Sequence, residues 1–337
     1  MTEAVPAPTL PPWIGAQTQH LLRQRGHAWL LYGPSGLGQY ELALELARAW
    51  LCEKGSEQGA CGHCPSCHAI GVHTHADLCV LMPETTLLAL GWPLSEKAQT
   101  EIDDKKRKPS REIRVDAMRD AIEFSQRTSS RNRGKVVLVY PAEQMNAITA
   151  NALLKTLEEP PGDARFVLAS ESAHQLLPTI RSRCQGYSMQ WPSPEQGLQW
   201  LQAQGVPAAQ AAALLQSAAG RAQEALRLFQ NGADVAAWAD LPRAIARGDV
   251  LFFKDWAPAL LVDALQKLCH DLLACRVGAE PRFFPRNALA SQASVQVLST
   301  WAQTLARARR TVEHPFNAGL LQEALVAQAQ SALNSRD

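Results

Sequence analysis

Four cysteines crowd one short stretch, "CEKGSEQGACGHCPSCHA", at Cys52, Cys61, Cys64 and Cys67. The last three form a doubled C-x-x-C in which Gly62 and Pro65 bend the backbone. That spacing lets sulfurs converge on a tetrahedral Zn²⁺ at ~2.3 Å, and Cys52, at the end of the preceding helix, can complete the four. A closed shell of four thiolates leaves no position for water, so the expected role is structural, with one Zn²⁺ held. His63 and His68 are nearby alternative ligands. C-x-x-C also serves redox chemistry, although no thioredoxin-like strand precedes it here. Cys79, Cys184, Cys269 and Cys275 stand alone or in apolar helical text, where burial is the simpler expectation.

A second stretch, "YGPSGLGQY" from Tyr32 to Tyr40, has the frame of a phosphate-cradling loop. In G-x-x-x-x-G-K-[ST] the glycines let backbone N–H groups crowd the phosphates, the lysine reaches the terminal phosphates and the hydroxyl holds magnesium. Gly33, Gly36 and Gly38 supply the frame, but Gln39 and Tyr40 replace the lysine and the small hydroxyl. Losing a charge-assisted contact of the lysine type costs roughly 1.5–3 kcal/mol, which weakens nucleotide binding without forbidding it. Tyr40 is the more serious change, since its phenol is a poor magnesium ligand and its bulk falls where the metal would sit. These five residues therefore mark a degenerate nucleotide site, expected to be inactive.

The flanking text supports the loop. Ala28 to Tyr32 reads as a buried strand, and Glu41 to Trp50 as a helix with Leu42, Leu46 and Ala49 on one face. Further on, "HADLCVLMPE" reads as a strand, Ile113 to Gln126 as a helix, and "GKVVLVY" as a central parallel strand. That last strand ends in Tyr140 and Pro141, where an ATPase would place acidic residues. Glu143 follows two positions later and reads as a helix-entry or surface carboxylate. A helix from Asn151 to Glu159, stopped by Pro160 and Pro161, precedes a strand from Arg165 to Ala169. Strands alternating with helices predict a parallel sheet with helices on its faces. Between them, 85–111 lacks a steady period and reads as a surface insertion, its Lys105 to Lys108 run a solvated loop. Beyond "WPSPEQ" only helical text remains, broken near Gly205 to Pro207, Gly220, Asn231 to Gly232, Gly248 and Pro281 to Pro285.

The chain of 337 residues is long enough for two or three domains. Its 33 Lys and Arg nearly balance 32 Asp and Glu, so no global basic charge announces nucleic acid and any DNA contact needs a local patch or a partner. No run approaches the ~18 apolar residues of a membrane span, and "MTEAVPAPTLPPW" lacks a signal-peptide layout. A cytoplasmic protein is expected, in which cysteines serve metals, catalysis or packing rather than disulfides.

Taken together, "LLYGPSGLGQYELALELARAWLC", "CGHCPSC", "GKVVLVYPAEQMNAITANALLKTLEEPP" and "LLPTIRSRC" resemble the delta-prime family of bacterial DNA polymerase III clamp-loader subunits. The likeness is close over the N-terminal half and loose beyond it. It implies an α/β AAA+ P-loop-type domain over 1–191 with a structural zinc module, an all-α lid over 192–236 and an all-α collar over 237–337. It also implies a hetero-oligomer with tau/gamma-type ATPase subunits and a delta subunit, acting on the sliding clamp and primed DNA. In this family the SRC arginine, here Arg183 with Arg181 close by, projects into a neighbour's ATP site as a finger that stabilises phosphoryl charge. Without that likeness Arg183 would read as a surface arginine with a local carboxylate. The lid helix of the ATPase members opens G-S-x-R; here it is Gly220, Arg221, Ala222, Gln223, which removes the sensing arginine. A divergent ATPase using Gln39 and Arg221, and a free-standing zinc-bearing DNA-binding protein, are the competing readings.

Overall fold

A computed structural model of the chain describes residues 10–230, 235–289, 292–312 and 317–335. It divides into two compact units, Met1–Pro192 and Ser193–Asp337. The first unit runs α1 (Pro12–Leu22), β1 (Ala28–Tyr32), α2 (Gln39–Leu51), α3 (Pro65–Gly71), β2 (Leu78–Leu81), α4 (Glu84–Ala89), α5 (Glu96–Asp103), α6 (Val115–Gln126), β3 (Lys135–Val139), α7 (Ala147–Glu158), β4 (Ala164–Ser170), α8 (Pro178–Arg181) and β5 (Gln185–Ser188). The five strands form one sheet in the order β2-β3-β4-β1-β5, and every pairing is parallel. This is the α/β arrangement expected of the alternating text.

The hydrophobic pattern explains the layering. All five residues of β3 are buried, because a parallel strand covered on both faces has no polar side. Val137 and Val139 pack with Phe166, Leu153 and Met118, while Val136 faces the other way, onto Ala47 and Leu51 of α2 and Ile70 of α3. β1 lies between β4 and β5, so the loop leaving its C-terminal end opens at the carboxyl edge of the sheet, where α/β proteins hold ligands.

Several boundaries differ from the sequence expectation, each for a local reason. α7 begins at Ala147 rather than Asn151, because Asn146 caps it: its Oδ1 accepts the Thr149 N–H at 3.0 Å. The segment expected to be a surface insertion contains α4 and α5, tied together by Arg107, whose guanidinium donates to Glu84 Oε1 at 2.8 Å and Glu101 Oε2 at 2.7 Å. One cation of the Lys105 to Lys108 run is thus committed inside the protein. α1 and β5 were not expected from the sequence. β5 is polar and mostly exposed and exists through its register with β1, Trp29 opposite Gln185 to Tyr32 opposite Ser188.

The second unit is helical among its described residues: α9 (Pro194–Ala203), α10 (Ala208–Ser217), α11 (Ala222–Gln230), α12 (Val235–Arg247), α13 (Pro258–Arg276), α14 (Val295–Thr311) and α15 (Ala318–Asn334). The breaks near Gly205, Gly220, Gly248 and Pro281 to Pro285 fall between helices as expected, and the one at Asn231 to Gly232 lies outside the described residues. Leu241, Phe253, Leu265, Leu298, Trp301 and Val326 share one buried cluster from α12 to α15. Asp271 anchors the turn after α13, its carboxylate accepting the N–H groups of Arg282, Phe283 and Phe284 at 2.8, 2.7 and 2.8 Å. No helix of the described residues is long and apolar enough to cross a membrane.

Candidate functional site

The loop from β1 to α2 has the turn geometry its glycines suggest. Gly36 and Gly38 have φ of 84° and 95°, a region that L side chains rarely enter. A Cβ on Gly33 would come within 3.0 Å of Met189. Leu37 is buried beneath the loop.

What fills the loop is its own side chain. Gln39 is buried, and its Nε2 donates to the carbonyls of Gly33 at 2.7 Å and Pro34 at 2.9 Å. A lysine in this position would present an ammonium to a triphosphate. The neutral amide instead stitches the first turn of the loop to the helix that follows it.

Tyr40 is equally engaged. Its hydroxyl accepts the Trp92 Nε1–H at 2.7 Å, and its ring lies 5.5 Å from that of Tyr140. Burial raises its pKa above the ordinary phenol value, so the group stays protonated. Trp92 in turn stacks on His73, with ring centroids 3.9 Å apart. The Tyr140 hydroxyl donates to Glu171 Oε1 at 2.8 Å, and Glu143 Oε1 accepts the Glu171 N–H at 3.0 Å. Glu143 thus sits in a 3₁₀ turn, Ala142–Gln144, bonded to the end of β4 rather than standing free at the surface. The sequence reading missed Trp92, Tyr140 and Glu171 as neighbours of the loop. Their one signal is a tryptophan within otherwise irregular text.

The cysteine cluster is assembled as its spacing predicts. The sulfurs of Cys52, Cys61, Cys64 and Cys67 all lie within 4.8 Å of one another. Cys52 closes α2 and Cys64 caps α3, whose Cys67 N–H points to Cys64 Sγ at 3.4 Å. The Cys61 N–H likewise points to Cys52 Sγ at 3.3 Å. Four sulfurs placed ~2.3 Å from a tetrahedral Zn²⁺ stand about 3.8 Å from each other, and Cys52 and Cys64 are separated by 3.8 Å. The donor set therefore fits a closed four-thiolate metal site. Burial pushes the Cys67 thiol up to about 12. Burial acts the same way on Cys64, but N–H donors from Cys67 and Glu53 outweigh it and hold that thiol down at about 6. His63 is turned aside, with Nδ1 2.7 Å from the Cys61 carbonyl.

Arg183 follows α8. Its Nε donates to Glu158 Oε1 at 2.7 Å and its Nη1 to the Thr179 carbonyl at 2.9 Å. With 29% of its side chain exposed, the pair contributes ~0–1 kcal/mol, a weak tether. Arg181, two positions earlier, is exposed. In the second unit Gln223 is buried, and the Arg221 Nε donates to the Ala218 carbonyl at 2.8 Å.

Comparison with known proteins bears on these sites. A family model described as "DNA polymerase III, delta subunit" matches residues 17–193. The DNA polymerase III subunit delta' of Pseudomonas aeruginosa is 40% identical over 188 residues, 56% of this chain and 49% of that protein. The subunit of the same name from Bacillus subtilis is 27% identical over 325 residues, covering 90% of this chain and 91% of its own length. The DNA polymerase III subunit tau of Escherichia coli is 33% identical over 158 residues, 47% of this chain and 20% of that protein. Against the Pseudomonas relative, the matched part of the chain spans about half of that protein's length.

Proposed function

The chain belongs to the family described as DNA polymerase III, delta subunit, and from that premise we propose that it acts as a delta-prime-type clamp-loader subunit that hydrolyses no ATP of its own. It supports the loading of a sliding clamp onto primed DNA, in a hetero-oligomer with tau/gamma-type ATPase subunits and a delta subunit. The observation that carries this reading is the self-filled loop: Gln39 is spent on the Gly33 and Pro34 carbonyls and Tyr40 on Trp92. With neither a cation nor a small hydroxyl at the two positions after Gly38, the loop lacks the side chains that neutralise a leaving phosphate and hold magnesium.

In this reading the AAA+-type unit over 1–191 is a rigid end piece, 192–236 a lid and 237–337 a collar through which subunits associate. Cys52, Cys61, Cys64 and Cys67 hold one structural Zn²⁺, and no catalytic step runs through it. Arg183 is the residue lent to a neighbouring ATP site. Its guanidinium is a planar fork that suits carboxylate and phosphate alike, so it exchanges Glu158 for phosphoryl oxygens without changing its charge or its bonding pattern. Because the tether to Glu158 is weak, the exchange opposes binding only slightly.

The test is a reconstituted loader containing Arg183→Ala. ATPase turnover is expected to fall ~10³-fold at the site that receives the arginine, with the purified variant melting at the wild-type temperature. Unchanged turnover would remove Arg183 from this role.

A further inference from the structure

A polar chain runs from the cysteine cluster to the β2–β3 end of the sheet, and it passes through one arginine. Glu53 follows Cys52 directly in the chain. The Glu53 side chain accepts from Arg131 Nη1 at 2.5 Å and from Ser66 Oγ at 3.2 Å. Arg131 Nη1 also reaches Ser66 Oγ at 3.0 Å. Ser66 is fully buried and lies between Cys64 and Cys67. One guanidinium thus touches both arms of the cluster: the arm that carries Cys52, through Glu53, and the arm that carries Cys64 and Cys67, through Ser66. Arg133, from the same loop, donates to the Glu53 carbonyl.

That loop is itself fixed. The carboxylate of Asp77, fully buried just before β2, accepts the Ser129 hydroxyl at 3.0 Å, the Ser130 hydroxyl at 2.8 Å and the Arg131 N–H at 3.2 Å. The ammonium of Lys135, the first residue of β3, donates to the same carboxylate at 3.0 Å. Gly134 closes the loop where a Cβ would sit 2.4 Å from the Asp163 carbonyl. Arg131 therefore presents its guanidinium from a support built on β2 and β3, not from a free surface loop.

We propose that Arg131 is an outer-shell positioning residue for the four-thiolate site, holding the Cys52 arm and the Cys64–Cys67 arm at the separation a metal requires. The proposal rests on the zinc reading given above. The ion pair by itself, with Arg131 37% and Glu53 38% exposed, is screened by solvent and adds little to stability. Its effect is on geometry: without the guanidinium the two arms keep the single 3.2 Å Ser66–Glu53 hydrogen bond but lose the clamp that holds both, and the sulfurs they flank are held less firmly at their spacing. Partners of this kind set metal affinity, and losing one costs about 10–100-fold.

The experiment uses the full chain loaded with Zn²⁺ and follows release to a chromogenic chelator under conditions in which the protein stays folded. Arg131→Ala is expected to release zinc about tenfold faster than wild type, the low end of that range because the residue is partly exposed. Its Co²⁺-loaded form should keep the ligand-field spectrum of a tetrahedral four-thiolate site. Arg127→Ala, which removes a cation at the end of α6 paired with Glu123 of that helix, should release at the wild-type rate. Should Arg131→Ala not fold, Arg131→Lys and Ser66→Ala carry the same expectation, since each breaks the two-armed bridge. Wild-type release from the Arg131 variants, or equal acceleration by Arg127→Ala, would overturn the proposal. A wild-type chain that takes up neither Zn²⁺ nor Co²⁺ would instead overturn the zinc reading, and this proposal with it.

Discussion

The glycine loop and the cysteine module lie at opposite ends of the same helix, α2, and they meet a charged ligand in opposite ways. At the N-terminal end the phosphate-binding frame is kept, but its side chains turn inward: Gln39 bonds the loop carbonyls and Tyr40 bonds Trp92. At the C-terminal end the side chains converge on a shared centre, with four sulfurs inside 4.8 Å. Both ends are well bonded. The difference is whether the reactive atoms are satisfied by protein or left for something else, and a backbone frame alone does not decide it. Gly33, Gly36 and Gly38 would look the same in either case.

The largest effect is expected from removing one converging ligand. Cys64→Ser should lower zinc content from about one per chain to near zero by elemental analysis, because three thiolates and a hydroxyl no longer form a closed shell. Structural zinc supplies on the order of 10 kcal/mol to folding in small zinc peptides, so a marked fall in melting temperature should accompany the loss. A variant that keeps full zinc would show that His63 or His68 can substitute, which the observed turn of His63 argues against.

Opening the other end should be milder. Gln39→Lys combined with Tyr40→Thr restores the cation and the small hydroxyl, and Mg-ATP should bind about 10–100-fold tighter by titration calorimetry. No gain would mean that Trp92, Tyr140 and Glu171 close the site irrespective of Gln39 and Tyr40. The smallest effect belongs to Tyr40→Phe. It deletes the acceptor for the Trp92 indole N–H and should cost ~1 kcal/mol by denaturant unfolding. A null result would place that bond outside what holds α2 against 84–111.

The contrast also shows which features a sequence displays. β1, α2 and β3 were legible because their signals are local: apolar runs bounded by glycines, or a helical face made by Leu42 and Leu46. The cysteine cluster was legible because three of its four members fall within seven residues and turn geometry brings them together. Tyr40 meets Trp92 across 52 positions, and no period or spacing encodes such a meeting. Arg131 was invisible for the same reason, 78 positions from Glu53. α1 was hidden behind a proline-rich start, and β5 has a single aromatic and no β-branched residue to announce it. Arg183 was placed by resemblance. Its ion pair with Glu158 is what a local reading would have expected of any arginine there.

One consequence follows from the shape of β5. It is four residues long, contains Gly186, and turns mostly polar side chains to solvent at the outer margin of the sheet. Strands with those traits discourage a foreign strand from docking alongside. At this margin the sheet offers a poor template for a further strand, and the risk of runaway β-stacking stays low.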